Sequence, residues 1–235
     1  MMKKKMMIAI CCLATMATQA QEALNAYALT KPGVVVDYAL YAAAMSKKPS
    51  LMAYVRTTVK AIQIDGDNDV VINNSQMLNR KTEPSKNAAF SGFADGIDVE
   101  CTFTKGSYTI VQDPLFGSSG KIENDGFFLK IPAELKVGDK LESGSIEQTT
   151  KAPMGPKVHN TVSYDDFIVA AEEDVETPAG VFHCFRIDGK LNGSFQTVKL
   201  KDTRYSIWLS QNIGMVKVEC DYYKESYVID AIEGM

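Results

Sequence analysis

Histidine occurs only twice among the 235 residues, as His159 and His183, and tryptophan once, as Trp208. The scarcity matters because most local metal and acid–base motifs need more than one imidazole. No His-x-x-His, Cys-x-x-Cys or His-Glu-x-x-His spacing is present, so no metal site or metalloprotease helix is written locally. A serine nucleophile elbow is missing too. Gly117-Ser118-Ser119-Gly120 and Gly144-Ser145-Ile146-Glu147 both depart from the Gly-x-Ser-x-Gly pattern that sharp turn requires. Cysteine is sparse. Of five, Cys11 and Cys12 lie near the start, leaving Cys101, Cys184 and Cys220. Three cysteines in a chain of this length exclude a disulfide scaffold, and at most one bridge forms among them, with no pairing chosen by spacing.

Long apolar runs are also lacking. The first twenty residues, MMKKKMMIAICCLATMATQA, hold Lys3 to Lys5, then a short apolar stretch, then the small residues Thr18 and Ala20 flanking Gln19. That is the pattern of a secretory signal peptide cut after Ala20, and it is too short to span a bilayer. Ile10 before Cys11 and Cys11 before Cys12 do not supply the small residue that cysteine lipidation wants at that position. Nothing downstream approaches the roughly 20 apolar residues of a membrane helix. The expectation is an exported soluble protein, periplasmic or secreted, whose mature part spans 21–235 as one domain. Loss of three lysines leaves 22 basic against 29 acidic residues, a net charge of −7. With no basic run remaining, the acidic balance argues against nucleic acid or anionic membrane as a partner.

What is present in abundance is period-two alternation. VVVDYALYA, YVRTTVKAIQI, IDVECTF, GFFLKI, VFHCFRI, TRYSIWLS, GMVKVECDYY and SYVIDAI are rich in branched and aromatic residues and bounded by Gly, Pro, Asn and Asp. About ten to twelve strands at such spacing predict an all-β fold, an antiparallel β-sandwich or an open or half barrel, rather than βαβ units. The polar stretch from Ser75 to Gly96 reads as an extended loop or irregular edge, and Lys151 to Lys157 as a second loop.

Several short motifs resemble chemistry and resolve to turns or surfaces. Asp65-Gly66-Asp67-Asn68-Asp69 opens like a calcium loop, but the sixth and twelfth positions hold Val70 and Gln76 where glycine and glutamate are needed. It reads instead as a hairpin turn. Asp165-Asp166 and Glu172-Glu173-Asp174 are adjacent acids in strand-like sequence, and successive strand residues face opposite ways. The same parity separates His183 from Cys184. On a strand VFHCFRI, Val181, His183, Phe185 and Ile187 share one face, whereas Phe182, Cys184, Arg186 and Asp188 share the other. The imidazole cannot activate the neighbouring thiol, and the expectation is a small buried cysteine and a structural histidine. Pro178-Ala179-Gly180 supplies the tight turn that launches this strand.

Three segments carry a resemblance. Ile131-Pro132-Ala133-Glu134-Leu135-Lys136-Val137-Gly138-Asp139, then Thr177-Pro178-Ala179-Gly180-Val181-Phe182, then Trp208 through Gly214-Met215-Val216-Lys217 together resemble a family of exported bacterial β-proteins without assigned activity, some labelled TapB-like. The resemblance is best from about Phe127 to the C-terminus. It implies an all-β exported protein of a Gram-negative bacterium and implies no reaction.

No catalytic residue, metal ligand or cofactor is expected. The leading functional expectation is a non-catalytic binding or carrier module for an apolar or glycan ligand, with Phe127, Phe128, Trp208 and Tyr222 as candidate binding residues. Tyr223 faces away from Tyr222, so at most one of the two lines a given cavity. The alternative is a structural or protein-interaction component of the cell envelope, contacting a partner through sheet edges or the Ser75 to Gly96 stretch.

Overall fold

The computed structural model describes residues 27–43, 48–63, 69–80, 83–84, 96–104, 107–111, 121–122, 124, 126–151, 157–195, 198–222 and 224–235. Among them every regular element is a strand. The first half of the chain supplies β1 (Val35–Ala42), β2 (Ser50–Gln63), β3 (Asp69–Arg80), β4 (Glu83–Pro84), β5 (Ile97–Thr104), β6 (Ser107–Ile110), β7 (Lys121–Ile122), β8 (Leu129–Ile131) and β9 (Glu142–Ser143). The second half supplies β10 (Ser145–Lys151), β11 (Lys157–Thr177), β12 (Gly180–Phe195), β13 (Val198–Ser210), β14 (Gly214–Cys220) and β15 (Glu225–Glu233). Fifteen strands replace the expected ten to twelve. The excess comes from pieces of two or three residues, which are too short to show any period.

All fifteen belong to one antiparallel sheet, in the order β7-β10-β11-β12-β13-β14-β15-β1-β2-β3-β5-β6-β8-β9, with β4 beside β3. The sheet coils into a nearly closed barrel-like body, so the all-β antiparallel expectation holds, nearer to its barrel form than to its sandwich form. The chain itself closes the coil. After β8 it runs along the edge of β11 that β10 leaves unpaired. Gly138 N–H donates to Val169 O at 2.8 Å, Val169 N–H to Asp139 O at 2.9 Å, and Leu141 N–H to Phe167 O at 2.9 Å. Tyr164 N–H donates to Gly144 O at 3.0 Å, and one residue later the chain enters β10. Pairing of residues distant in sequence thus removes most of the exposed sheet edge.

The core lies inside the coil. Phe128, fully buried, has its ring centroid 4.7 Å from Tyr164, 5.9 Å from Phe167 and 5.7 Å from Tyr205. Edge-on aromatic pairs of this kind each add roughly 0.5–1.5 kcal/mol beyond area burial. Phe167 reaches the cluster through a bulge in β11 between Asp165 and Ile168, where Asp166 takes a φ of 56°. Its ring then lies on Gly189, where an added Cβ would come within 2.5 Å of it. A second aromatic group, Tyr38 stacked on Tyr227 at 4.2 Å and Phe103 on Tyr108 at 5.3 Å, fills the β1–β6 half. The N-terminal segment 27–34 packs across the end where these strands meet β14. Tyr27 lies edge-on to Phe185, its carbonyl accepts from Tyr108 OH at 2.8 Å, and it is buried.

The segment expected as a loop from Ser75 to Gly96 is corrected in part. Ser75 to Arg80 continue β3: Gln76 and Leu78 sit opposite Arg56 and Tyr54 of β2, and Arg80 sits opposite Glu83 of β4. Residues 85–95 lie outside the described residues, as do 152–156 of the second loop and Asp65 to Asn68 of the acidic turn. The strands flanking that turn do form the expected hairpin, with Gln63 opposite Val70.

Candidate functional site

The three segments that carried the resemblance turn out to build the fold. Gly138, at φ 98°, and Asp139 lie in the closing segment, where Lys136 N–H donates to Asp139 Oδ2 at 2.8 Å. Thr177 holds the β11–β12 turn, its hydroxyl donating to Gly180 O at 3.0 Å and accepting from Ala179 N–H at 3.2 Å. Gly180 takes a φ of 133° there, which a side chain would strain. Trp208 and Lys217 are cross-strand partners, and the ammonium sits 4.6 Å from the indole centroid. These residues mark turns and pairings rather than a reactive centre.

His183 and Cys184 do face opposite ways. His183 Nδ1 lies 2.8 Å from Asp174 Oδ1 and Nε2 lies 2.8 Å from Glu172 Oε1. Both ring nitrogens donate only in the imidazolium, and the bonds to Asp174 and then Glu172 raise the pKa above its ordinary 6.5. The two carboxylates sit on opposite ring atoms and share no common point for a metal. Among the described residues no group of three His, Cys, Asp or Glu side chains is placed to hold one. Although His183 shares its face of the strand with apolar side chains, its own side chain is 65% exposed. The β11–β12 hairpin runs past the body, so one face passes from core at Ile187 to solvent at Val181. Cys184 is buried, donates to Phe182 O at 3.4 Å, and has its thiol pushed up to about 12 by burial. None of Cys101, Cys184 and Cys220 is joined in a disulfide.

The four candidate aromatic residues do not meet. Phe128 belongs to the inner cluster described above. Phe127 is half-buried, with its carbonyl and ring against Gly144. Trp208 lies on the opposite face of β13 from Tyr205 and Ile207, where Nε1 donates to Glu173 Oε1 at 2.7 Å and Lys217 covers the ring. Tyr222 is exposed in the β14–β15 turn. Tyr223 lies outside the described residues.

A different set of residues does converge, on the inner face of β2, β3 and β5. Reading along β2, Ala53, Val55, Thr57 and Val59 point inward; along β3, the inward set is Met77, Ser75, Asn73 and Val71, with Thr57 opposite Ser75 and Val59 opposite Asn73. Val59 and Val71 are sealed in the main core, at 1% and 0% exposure. Ala53 and Met77 form a separate small cluster, and Val55 touches both. Between the two apolar clusters lies a polar step of Thr57, Ser75 and Asn73, each of which keeps partial exposure although it faces inward.

The hydrogen bonding of this step is incomplete. Thr57 Oγ1 lies 3.2 Å from Ser75 Oγ and is also hydrogen-bonded to the Tyr227 hydroxyl. Asn73 Nδ2 donates to Cys101 Sγ at 3.8 Å, while Asn73 Oδ1 is buried with no partner. Burial holds the Cys101 thiol up at about 11. The inward positions of β1, β2, β3, β5 and β6 here carry no charge among the described residues. The nearby ion pairs, Arg56–Asp37 at 2.8 Å and Lys60–Asp98 at 2.7 Å, lie on the outer face. Sequence reading passed over Asn73 and took Ser75 only as the start of an expected loop. The signal was a polar interruption of the inward set in V-x-N-x-S-x-M, which becomes legible only once the inner face is known.

The described residues form a nearly closed antiparallel coil, and residues 31–229 match the DUF3108-like family. The protein belongs to that family. Two solved structures share its fold. One, from Bacteroides fragilis, is described as an exported protein with a YmcC-like fold; it is 14% identical, with a TM-score of 0.69 over 89% of this chain and 100% of that one. The other, from Parabacteroides distasonis, is described as a lipoprotein; it is 14% identical, with a TM-score of 0.68 over 89% of this chain and 99% of that one. No curated protein matches the chain.

Proposed function

We propose that the protein is exported and acts as a non-catalytic binding module, holding a small ligand on the inner face of β2, β3 and β5. The observation that carries this reading is the polar step itself. Thr57, Asn73 and Ser75 face inward, keep access to solvent between two sealed apolar clusters, and include a buried acceptor, Asn73 Oδ1, with no partner. Polar side chains that face inward yet keep partial exposure beside apolar clusters fit a surface kept open for a guest. Export is supported by the basic, apolar and small-residue order of the first twenty residues. The descriptions of the two structural relatives agree with it. The non-catalytic part is supported by His183, whose two nitrogens are both engaged by carboxylates, and by the protonated state of the Cys101 and Cys184 thiols.

The test is to purify the protein from the periplasm of an expressing bacterium, unfold it, extract it and examine the extract by mass spectrometry. In parallel, its melting temperature is followed against panels of lipids and saccharides. A co-purified small molecule, or one that raises the melting temperature, is expected. An empty extract together with an unmoved melting temperature across both panels would end the reading.

A further inference from the structure

We infer that the β11–β12 hairpin carries a pH-sensitive brace: His183, held between Asp174 and Glu172, governs how often the projecting end of the hairpin opens, and with it the access of reagents to the Cys184 thiol. The two adjacent residues divide one task. His183 holds the hairpin shut, and Cys184 is what the hairpin hides.

Register places the brace. The β12–β13 pairing ends at Phe185, opposite Leu209, whereas the β11–β12 pairing runs on to Thr177 and Gly180. Within that extension Phe185, Cys184 and His183 sit opposite Glu172, Glu173 and Asp174. His183 reaches straight across to Asp174 Oδ1 at 2.8 Å and diagonally back to Glu172 Oε1 at 2.8 Å. The imidazolium therefore spans the rung that carries Cys184. On the other face Glu173 accepts from Trp208 Nε1 at 2.7 Å and lies 3.5 Å from Arg186, donors that keep their protons across neutral pH. Cys184 is on that side, buried as Val175 is, and it meets solvent when the two strands part.

Charge gives the sign. Asp174 and Glu172 face His183 from β11, and Glu176 stands one position further out on the same face, opposite Val181. From the closing segment Glu134 is the nearest acid: the Tyr27 hydroxyl is raised by burial and, beyond that, by Glu134 and Glu172. Glu134 has Lys136 at 4.0 Å. With the ring protonated, both nitrogens donate, and two carboxylates balance one imidazolium to a net charge of −1. The neutral ring donates from one nitrogen, so one bond is lost and the carboxylates repel. The bonds to Asp174 and then Glu172 raise the folded pKa above 6.5. The brace is therefore complete below 6.5 and is lost as pH rises through the raised value, so opening of the hairpin end increases with pH.

Alkylation of the folded protein with iodoacetamide at a series of values from about pH 5.5 to 7.5, read cysteine by cysteine by peptide mass spectrometry, tests this. Burial holds Cys184 near 12 and Cys101 near 11, so the ratio of their rates cancels the common rise of thiolate with pH. An exposed pair shifts an equilibrium by a few-fold, so the Cys184-to-Cys101 ratio is expected to rise about threefold across the range. The ratio stays flat in His183→Gln, and in Asp174→Asn it rises at lower pH and by less. A flat ratio in the native sequence overturns the inference, and so does an equal rise in His183→Gln. Should His183→Gln fail to fold by circular dichroism, Asp174→Asn decides alone, and a profile identical to the native one overturns the inference.

Discussion

Asn73 Nδ2 and Cys101 Sγ meet 3.8 Å apart on the inner face of the sheet, and the contact leaves the other end of the same amide buried and alone. A thiol is a weak partner for an amide, so the pair satisfies little of what Asn73 lost on leaving water. Polar groups elsewhere in the sheet do better: Asn192 on β12, for example, donates to Asp165 at 2.8 Å and accepts from Asp202 N–H. The difference places Asn73 among residues kept at a cost in stability.

Replacing Asn73 by leucine, which has a similar shape, should therefore leave the fold as stable or make it more stable. A gain of about 1 kcal/mol corresponds to a rise of about 2–4 °C in Tm for a domain of this size. Differential scanning calorimetry reads this directly. A fall of several degrees would mean that Asn73 is a structural residue with partners the fold needs.

The aromatic residues separate by burial. Phe128→Ala empties the centre of the Phe128–Tyr164–Phe167–Tyr205 cluster and should cost about 3–5 kcal/mol. Tyr222→Ala removes an exposed ring in a turn and should change stability by no more than about 0.5 kcal/mol. Denaturant titration at a common slope distinguishes them, and similar losses in both would contradict the placement of Phe128.

His183 gives a pH dependence with a definite sign. Its folded pKa lies above the ordinary 6.5 because Asp174 and Glu172 accept from the imidazolium. Its contribution to the hairpin is therefore complete below 6.5 and is lost as pH rises through the raised folded value. NMR titration of the His183 ring should show a midpoint above 6.5 that moves down in Asp174→Asn. A midpoint at or below 6.5, or one indifferent to Asp174, would show that the bracket is not formed in solution.

The thiols should be quiet until the protein unfolds. Burial holds Cys184 near 12 and Cys101 near 11, so neither carries appreciable thiolate at neutral pH. A thiol-reactive dye should label native protein slowly and label all three of Cys101, Cys184 and Cys220 after denaturation. Release of only one thiol on unfolding would reveal a disulfide between the other two.

Much of this was legible in the chain, and the rest fails for identifiable reasons. Alternation in GMVKVEC became β14 with a strict inside–outside pattern, and parity alone separated His183 from Cys184. Three things were not local. The coil closes through Gly138, Asp139 and Leu141 bonding to Val169 and Phe167, pairings that no window of sequence contains. Strands as short as Glu142–Ser143 are held by their neighbours and have no period of their own. The exposure of His183 followed from how far the β11–β12 hairpin outruns the body, a length the alternation does not encode. Asn73 was hidden differently: followed by Asn74, Ser75 and Gln76, it reads as surface until the register puts it opposite Val59.

The central claim is that the inner face of β2, β3 and β5 is where this protein meets its ligand. Amide NMR spectra recorded while a neutral oligosaccharide is titrated in test it most directly. Shifts concentrated at Thr57, Asn73, Ser75 and Cys101, together with movement of the Asn73 side-chain NH2 signals, are the predicted result. Shifts confined to the outer face around Trp208 and Lys217, with the Asn73 side chain unmoved, would contradict it.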